Sequence, residues 1–127
     1  MRAIQMIDTG SPEVLQPADV PEPAITAPNQ VKIRLKAAGV NPVDTKLRKR
    51  GLILSNQLPA ILGCDGAGVV VEAGREVTRF REGDEVWFCY GGLGGQPGNY
   101  AEFTVLDENI PRAKPRNIDF VTAAAAA

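Results

Sequence analysis

The residues of this chain that could do chemistry begin in one short segment, "GVNPVDTKLRKRG" from Gly39 to Gly51. Asn41, Pro42 and Asp44 have the types and spacing of a helix start. Asparagine is a favoured N-cap, proline is tolerated at the first helical position, and an acid in the first turn complements the positive end of the helix dipole. The cations of "TKLRKR" lie toward the other end and Gly51 stops the helix, which gives an element of roughly two turns. Such a helix start presents backbone N–H groups and a polar amide at one point of the surface. Histidine chemistry is excluded, because the chain has no histidine. No Ser/His/Asp triad, Cys/His pair or histidine-containing zinc site can form within these residues, and the two cysteines, Cys64 and Cys89, are too few for a four-thiolate site. No metal site is expected.

Two glycine-rich stretches invite a nucleotide reading and do not support it. "GCDGAGVVV" has the order G-x-x-G-x-G followed by a valine run, whereas a dinucleotide fingerprint needs G-x-G-x-x-G opening a helix whose amides face the pyrophosphate. Glycine for tight turning and close backbone approach inside a sheet accounts for it. "GGLGGQPG", residues 91–98, lacks the lysine followed by serine or threonine of a Walker loop and reads as a flexible hairpin-like connection.

The elements that must position these residues are mostly strands. "VKIRLKA" puts Val31, Ile33, Leu35 and Ala37 on one face and Lys32, Arg34 and Lys36 on the other, the two-residue period of a half-buried antiparallel strand. "YAEFTV" repeats the alternation, with Ala101, Phe103 and Val105 against Tyr100, Glu102 and Thr104. "RAIQMI", "GVVVEAG" and "GDEVWFCYG" are short β-branched or aromatic runs bounded by turn residues. The segment "SPEVLQPADVPEPAITAPNQ" suits an edge strand and an extended crossing. A second helix begins near Asn117 or Asp119 and runs into "FVTAAAAA" with no stop signal, the pattern expected of a longer parent polypeptide. With 13 glycines and 10 prolines punctuating the chain, the reading is mainly β: a barrel or sandwich with one or two short helices.

Composition narrows the partners. A chain of 127 residues with 44% apolar residues fits one domain and not a second cofactor-binding one. Its 14 basic and 15 acidic residues leave a net charge of −1, and the densest basic run, "KLRKR", has no interleaved aromatics to stack on bases, so it reads as a solvated helix face and no nucleic-acid partner is expected. No apolar run approaches the roughly 20 residues that span a bilayer, and "MRAIQMIDTG" lacks the apolar core of a signal peptide. The expectation is a cytoplasmic protein that meets no membrane. In that reducing setting both cysteines read as small buried hydrophobes.

The ordered blocks "AAGVNPVDTKLRKRG", "LPAILGCDGAGVVVEAG", "FREGDEVW", "GNYAEFTVLDEN" and "FVTAAAAA" together resemble the GroES-like part of the catalytic domain of medium-chain dehydrogenase/reductases, in the zinc-free quinone oxidoreductase branch. The resemblance covers essentially all 127 residues. It implies a partly open antiparallel GroES-like β-barrel over residues 1–127, followed by a Rossmann domain for NAD(P)H, in an enzyme of roughly two to three times this length that forms a homodimer. It further implies direct hydride transfer from NADPH to a quinone or an α,β-unsaturated carbonyl, with no activity in these 127 residues alone because the hydride donor is bound elsewhere. Where the zinc-dependent alcohol dehydrogenases carry a cysteine and a histidine ligand, this sequence has Asn41 and Cys64; where their structural zinc lobe should follow "GDEVWF", it has the glycine loop. A zinc alcohol dehydrogenase relative is therefore a third reading, behind a stand-alone β-barrel binding or assembly module that uses "LILSNQLP" as its contact.

On this resemblance the Asn41 amide, donor and acceptor both, orients the nicotinamide or the acceptor carbonyl, beside its capping role. Asp44 supports the same helix start. Lys46 stands where many relatives have a tyrosine near the nicotinamide; it could contact a cofactor phosphate or donate a proton, or be a solvated helix lysine. Asp65 is either a hydrogen-bonded structural carboxylate or an acid/base group. Cys64 is either a near-site thiol or an inert buried one. Tyr90 could line the acceptor pocket or close the barrel, and Leu52 and Ile53 in "LILSNQLPAIL" could form its apolar wall or belong to the core.

Overall fold

A computed structural model describes all residues, Met1–Ala127. Strand β1 (Arg2–Met6) pairs antiparallel with β2 (Leu15–Asp19) in a two-stranded sheet, Ile4 facing Pro17 on this short edge strand. A 3₁₀ turn at Pro12–Val14 precedes β2, and residues 20–29 cross over without helix or strand, ending in a turn. The main sheet has the order β6-β3-β4-β5-β7, built from β3 (Gln30–Ala38), β4 (Asp65–Ala73), β5 (Glu85–Cys89), β6 (Phe103–Asp107) and β7 (Arg112–Ala113). Isolated bridges at Ala3↔Ala101 and Met6↔Ala60 tie β1 to the segments before β6 and before β4 without closing a barrel. This is the expected mainly β, GroES-like, partly open architecture, with two short α-helices, α1 (Pro42–Arg50) and α2 (Phe120–Ala126). No helix is long and apolar enough to cross a membrane.

The strand period of β3 holds from Val31 to Leu35, but a bulge between Leu35 and Ala37 turns Ala37 to the other face, against the expected alternation. Val31 and Ile33 are fully buried and join Val70, Val86, Phe88 and Leu106 in the principal core. The opposite face of the sheet, marked by Trp87 between Val86 and Phe88, sets Ala37, Ala67 and Trp87 side by side on three strands. Helix α2 lies on that face through Ala123 and Ala124, so small side chains on both partners let it approach closely. Asp119 starts this helix, its carboxylate accepting the Thr122 N–H at 2.8 Å. A third cluster, Met6, Leu47 and Leu62, seats α1 against β1.

Four expectations change in detail. The "YAEFTV" segment has the opposite phase: register sets Leu106 beside Val31 and Thr104 beside Ile33, so those two point inward. Phe103 and Val105 fall opposite Arg34 and Lys32 on the outer face, where both cations cover the Phe103 ring at 5.1 Å from its centroid. Residues 100–102 are drawn off to β1, through Ile4 N–H to the Tyr100 carbonyl and Glu102 N–H to that of Arg2, and the strand starts only at 103. The basic run is not wholly solvated: Arg48 is buried and donates to the Gly10 carbonyl, whose own N–H returns to the Arg48 carbonyl at 2.8 Å. The glycine loop is tied down rather than loose, with Ile53 and Leu54 N–H groups donating to the Leu93 carbonyl and Gly98 N–H to that of Ile61. Cys64 is buried as expected, but Cys89 is exposed at the end of β5; both are free thiols.

Close backbone approach explains the glycine of β4. A Cβ on Gly68 would lie 2.1 Å from the Arg34 carbonyl oxygen on the paired strand, whereas one on Gly83, a turn residue at φ +96°, would meet nothing. Gly68→Ala is expected to cost more than about 4 kcal/mol, because two central strands must separate, and Gly83→Ala only the conformational term of about 1–2 kcal/mol. Urea unfolding of the two variants checks the contrast.

Candidate functional site

The chain leaves β3 through Gly39 and Val40 and turns into α1 at Asn41. That corner can form because Gly39 lacks a side chain: a Cβ there would sit 3.0 Å from the Asp65 Cβ and 2.9 Å from the Ala124 carbonyl oxygen. The Gly39 N–H instead donates to the Asp65 carbonyl at 3.1 Å, locking the corner to the first residue of β4. Asn41 has the extended backbone of an N-cap, with Pro42 following and Asp44 at the third helical position. The Asp44 carboxylate accepts the Asn41 backbone N–H at 2.8 Å, the reciprocal bond of a capping box. The Asn41 side chain points its Nδ2 at Asp65 Oδ2, 2.6 Å away.

This pairing fixes which way the amide faces. With Nδ2 committed to Asp65 and Oδ1 turned to the Asp44 backbone N–H in the capping box, a second Nδ2 proton and a lone pair of Oδ1 remain for a ligand. Asp44 and Asp65 are both buried, at 4% and 3% exposure, and no salt bridge reaches either. Buried carboxylates need donors, and the remaining donor is Tyr100, whose hydroxyl reaches Asp44 Oδ2 at 3.0 Å. Asp44 Oδ1 is buried without a partner.

A cleft of 210 Å³ opens beside this polar corner, lined by Cys64, Cys89, Tyr90, Leu54 and Leu93 with Gln96 and two glycines. Asn99 holds its rim together: buried, it donates through Nδ2 to the carbonyls of Gly63, Cys64 and Tyr90 at 3.0, 3.1 and 3.3 Å. Another groove of 410 Å³, between β6 and residues 57–61, is lined by no ionisable side chain.

The sequence-derived residues divide accordingly. Asn41, Asp44 and Asp65 come together in one hydrogen-bonded corner, and Tyr90 lines the neighbouring cleft, half-exposed. Lys46 lies on the solvent side of α1 with no ion-pair partner. In "LILSNQLPAIL", Leu52 packs against the Met6 cluster and Ile53 is exposed; Leu54 is the residue that lines the cleft. Sequence reasoning missed Tyr100, Asn99 and Cys89, which act through partners up to 61 residues away and carry no local spacing signal. No three His, Cys, Asp or Glu side chains are grouped as a metal site would require.

The field of the two carboxylates reaches every weak acid nearby. Burial first, then the Asp44 charge and hydrogen bond, push the Tyr100 phenol well above the ordinary tyrosine range. Partial burial and the adjacent Asp65 carboxylate push the Cys89 thiol up to about 11, and burial with both aspartates raises Cys64. The folded state thus favours the protonated form of all three. Below the unfolded-chain values, ~8.5 for Cys and ~10 for Tyr, both states are protonated and these groups add no pH dependence; above them the unfolded chain ionises first and stability falls. Unfolding free energy is expected to be flat from pH 7 to 8 and to decline between about pH 9 and 11. Tyr100→Phe should cost about 1–2 kcal/mol at pH 7 and flatten the alkaline decline, as denaturant titrations at fixed pH values would register.

Comparison with known proteins places this geometry. The alcohol dehydrogenase GroES-like domain family matches residues 27–115. A quinone oxidoreductase of Pseudomonas aeruginosa is 43% identical over 124 residues, covering 98% of this chain and 36% of that protein. A 2-methylene-furan-3-one reductase of Solanum lycopersicum is 40% identical, covering 98% and 34%. The structure of Escherichia coli quinone oxidoreductase complexed with NADPH superposes with a TM-score of 0.86 at 32% identity, covering 100% of this chain and 37% of that one. The chain therefore spans about a third of the length of the relatives it matches. With the family match running from the crossing before β3 to the approach to α2, this chain belongs to the alcohol dehydrogenase GroES-like domain family, in the quinone oxidoreductase-like branch of the medium-chain dehydrogenase/reductases.

Proposed function

We propose that these residues form the acceptor side of a zinc-independent, NADPH-dependent reductase of quinones and α,β-unsaturated carbonyls, with the dinucleotide held by a Rossmann domain outside residues 1–127. The observation that carries this reading is the Asn41 amide, fixed by Asp65, the neighbour of the cleft-lining Cys64 and Cys89, with one N–H and a lone pair of its oxygen left for a partner. A free acceptor beside a free donor matches the carboxamide of a nicotinamide, so the residues present fit the group. NADPH, when bound, supplies the hydride.

The chain's own part is orientation and exclusion of water. Asn41 would hold its partner to one face of the cleft, its rotamer set by the Asp65 bond and its backbone by Asp44. Tyr90, Leu54 and Leu93 would flank a planar acceptor and keep solvent away from the transfer, as an apolar pocket with few polar groups does. Asp44 and Asp65 act as positioning residues, since each has accepted donors from Asn41 or Tyr100. Lys46 does not reach this corner and stands as a solvated lysine on the outer side of α1. The names of the relatives support the acceptor class: one reduces a methylene-furanone and two are quinone oxidoreductases.

In the intact protein, NADPH consumption with a benzoquinone or an enone is the test. Asn41→Ala should lower kcat/KM about 10- to 100-fold, about 1.4–2.7 kcal/mol of lost transition-state stabilisation, with the fold unchanged by circular dichroism. Wild-type protein that consumes no NADPH with either acceptor, or an Asn41→Ala variant of undiminished kcat/KM, would refute the reading.

A further inference from the structure

Both thiols of the chain border one cleft, and the chemistry around them is one-sided. Cys89 ends β5 directly across the strand pair from Asp65, in the Asp65↔Cys89 register that puts both side chains on the same face. Cys64 precedes Asp65 and lines the same 210 Å³ space, closed on its far side by Leu54, Leu93 and Tyr90. Every ionisable group that faces them is an acid: Asp44 from α1, Asp65 from β4, Tyr90 after β5 and Tyr100 before β6. No lysine or arginine contributes to the field at Cys64, Cys89 or Tyr100. Reactive cysteines sit in the opposite setting, beside cations or at helix N-termini.

We propose that Asp65, seconded by Asp44, keeps Cys89 and Cys64 as neutral thiols so that the cleft can carry soft electrophiles without being alkylated by them. The choice of electrophile rests on the reductase reading above; the protection of the thiols does not. The reaction held back is conjugate addition. A thiolate sulfur forms a bond to the β-carbon of an enone, the carbon–carbon π bond opens toward the carbonyl, and the proton shed by the thiol ends on the α-carbon, with no oxidant or reductant consumed. Cys89 is the thiol at risk, being exposed to the cleft, whereas Cys64 is buried. The direction of the Cys89 shift agrees with the geometry: partial burial and the Asp65 carboxylate both disfavour the thiolate. Two carboxylates thus serve two ends. One atom of Asp65 aims Asn41, and its charge quiets the sulfur across the strand.

The test is the rate at which N-ethylmaleimide labels Cys89 in the intact protein, followed by peptide mass spectrometry from pH 6.5 to 10. Wild-type labelling at pH 8 should be on the order of 100-fold slower than that of glutathione. Asp65→Asn, which keeps the shape and an acceptor for Asn41, should accelerate it about tenfold and move the pH–rate profile toward lower pH. An unchanged rate, or an acceleration equal at every pH with the profile unmoved, would overturn the proposal, because a loosened cleft raises access without altering ionisation. If Asp65→Asn does not fold, Asp44→Asn carries the same comparison with a smaller displacement expected, and an unmoved profile there overturns it equally. Maleimide labelling needs neither cofactor nor turnover, so its failure leaves the reductase reading standing, and a protein that consumes no NADPH leaves the thiol result standing.

Discussion

Two carboxylates buried without a cation are the constraint on which the rest depends. Removing such groups from water is costly unless donors replace the lost hydration. Asp44 and Asp65 find theirs in the Asn41 backbone N–H, the Asn41 amide and the Tyr100 hydroxyl. Satisfying them requires the end of β3, the start of α1, the start of β4 and Tyr100, three residues before β6, to meet at one point. Gly39 permits the meeting by having no Cβ to strike Asp65, and Asn99 completes it by gathering three carbonyls from the two strand ends beside it. A corner so specified is rigid, which is what an orienting amide needs.

The same arrangement explains the character of the cleft. Burial and then its acids raise the thiols and the phenol rather than activating them, so the site holds no poised nucleophile. What it offers is a fixed amide, apolar walls and an aromatic ring. That inventory suits a reaction whose difficult step belongs to a cofactor and whose protein part is placement. The quinone oxidoreductase-like relationship and the site's composition thus point the same way from independent observations.

Much of the fold was legible in the sequence, for identifiable reasons. β3 carries its phase in a strict alternation of apolar and cationic residues, and α1 has both ends written in Asn41-Pro42-x-Asp44 and Gly51. The phase of β6 was not legible, because Phe103 and Val105 are apolar in type yet outward in register; only pairing with β3, which supplies Lys32 and Arg34 as a cover, decides the matter. Arg48 looked solvated within a basic run, but its carbonyl partner lies 38 residues away at Gly10. In the site, Asn41, Asp44 and Asp65 could be singled out by type and position. That Asp65 takes the Asn41 Nδ2, and that Tyr100 closes the cluster, follows from tertiary contacts that no spacing encodes.

Direct hydride transfer without a metal is the role proposed for this corner. It can be read from the intact protein, treated with a chelator and then given NADPH deuterated at the transferring position of C4 and an α,β-unsaturated ketone, by mass spectrometry of the product. One deuterium on the β-carbon of the saturated ketone is expected, in the same yield with and without the chelator. A product without deuterium at that carbon, or turnover abolished by the chelator and restored by zinc, would contradict it.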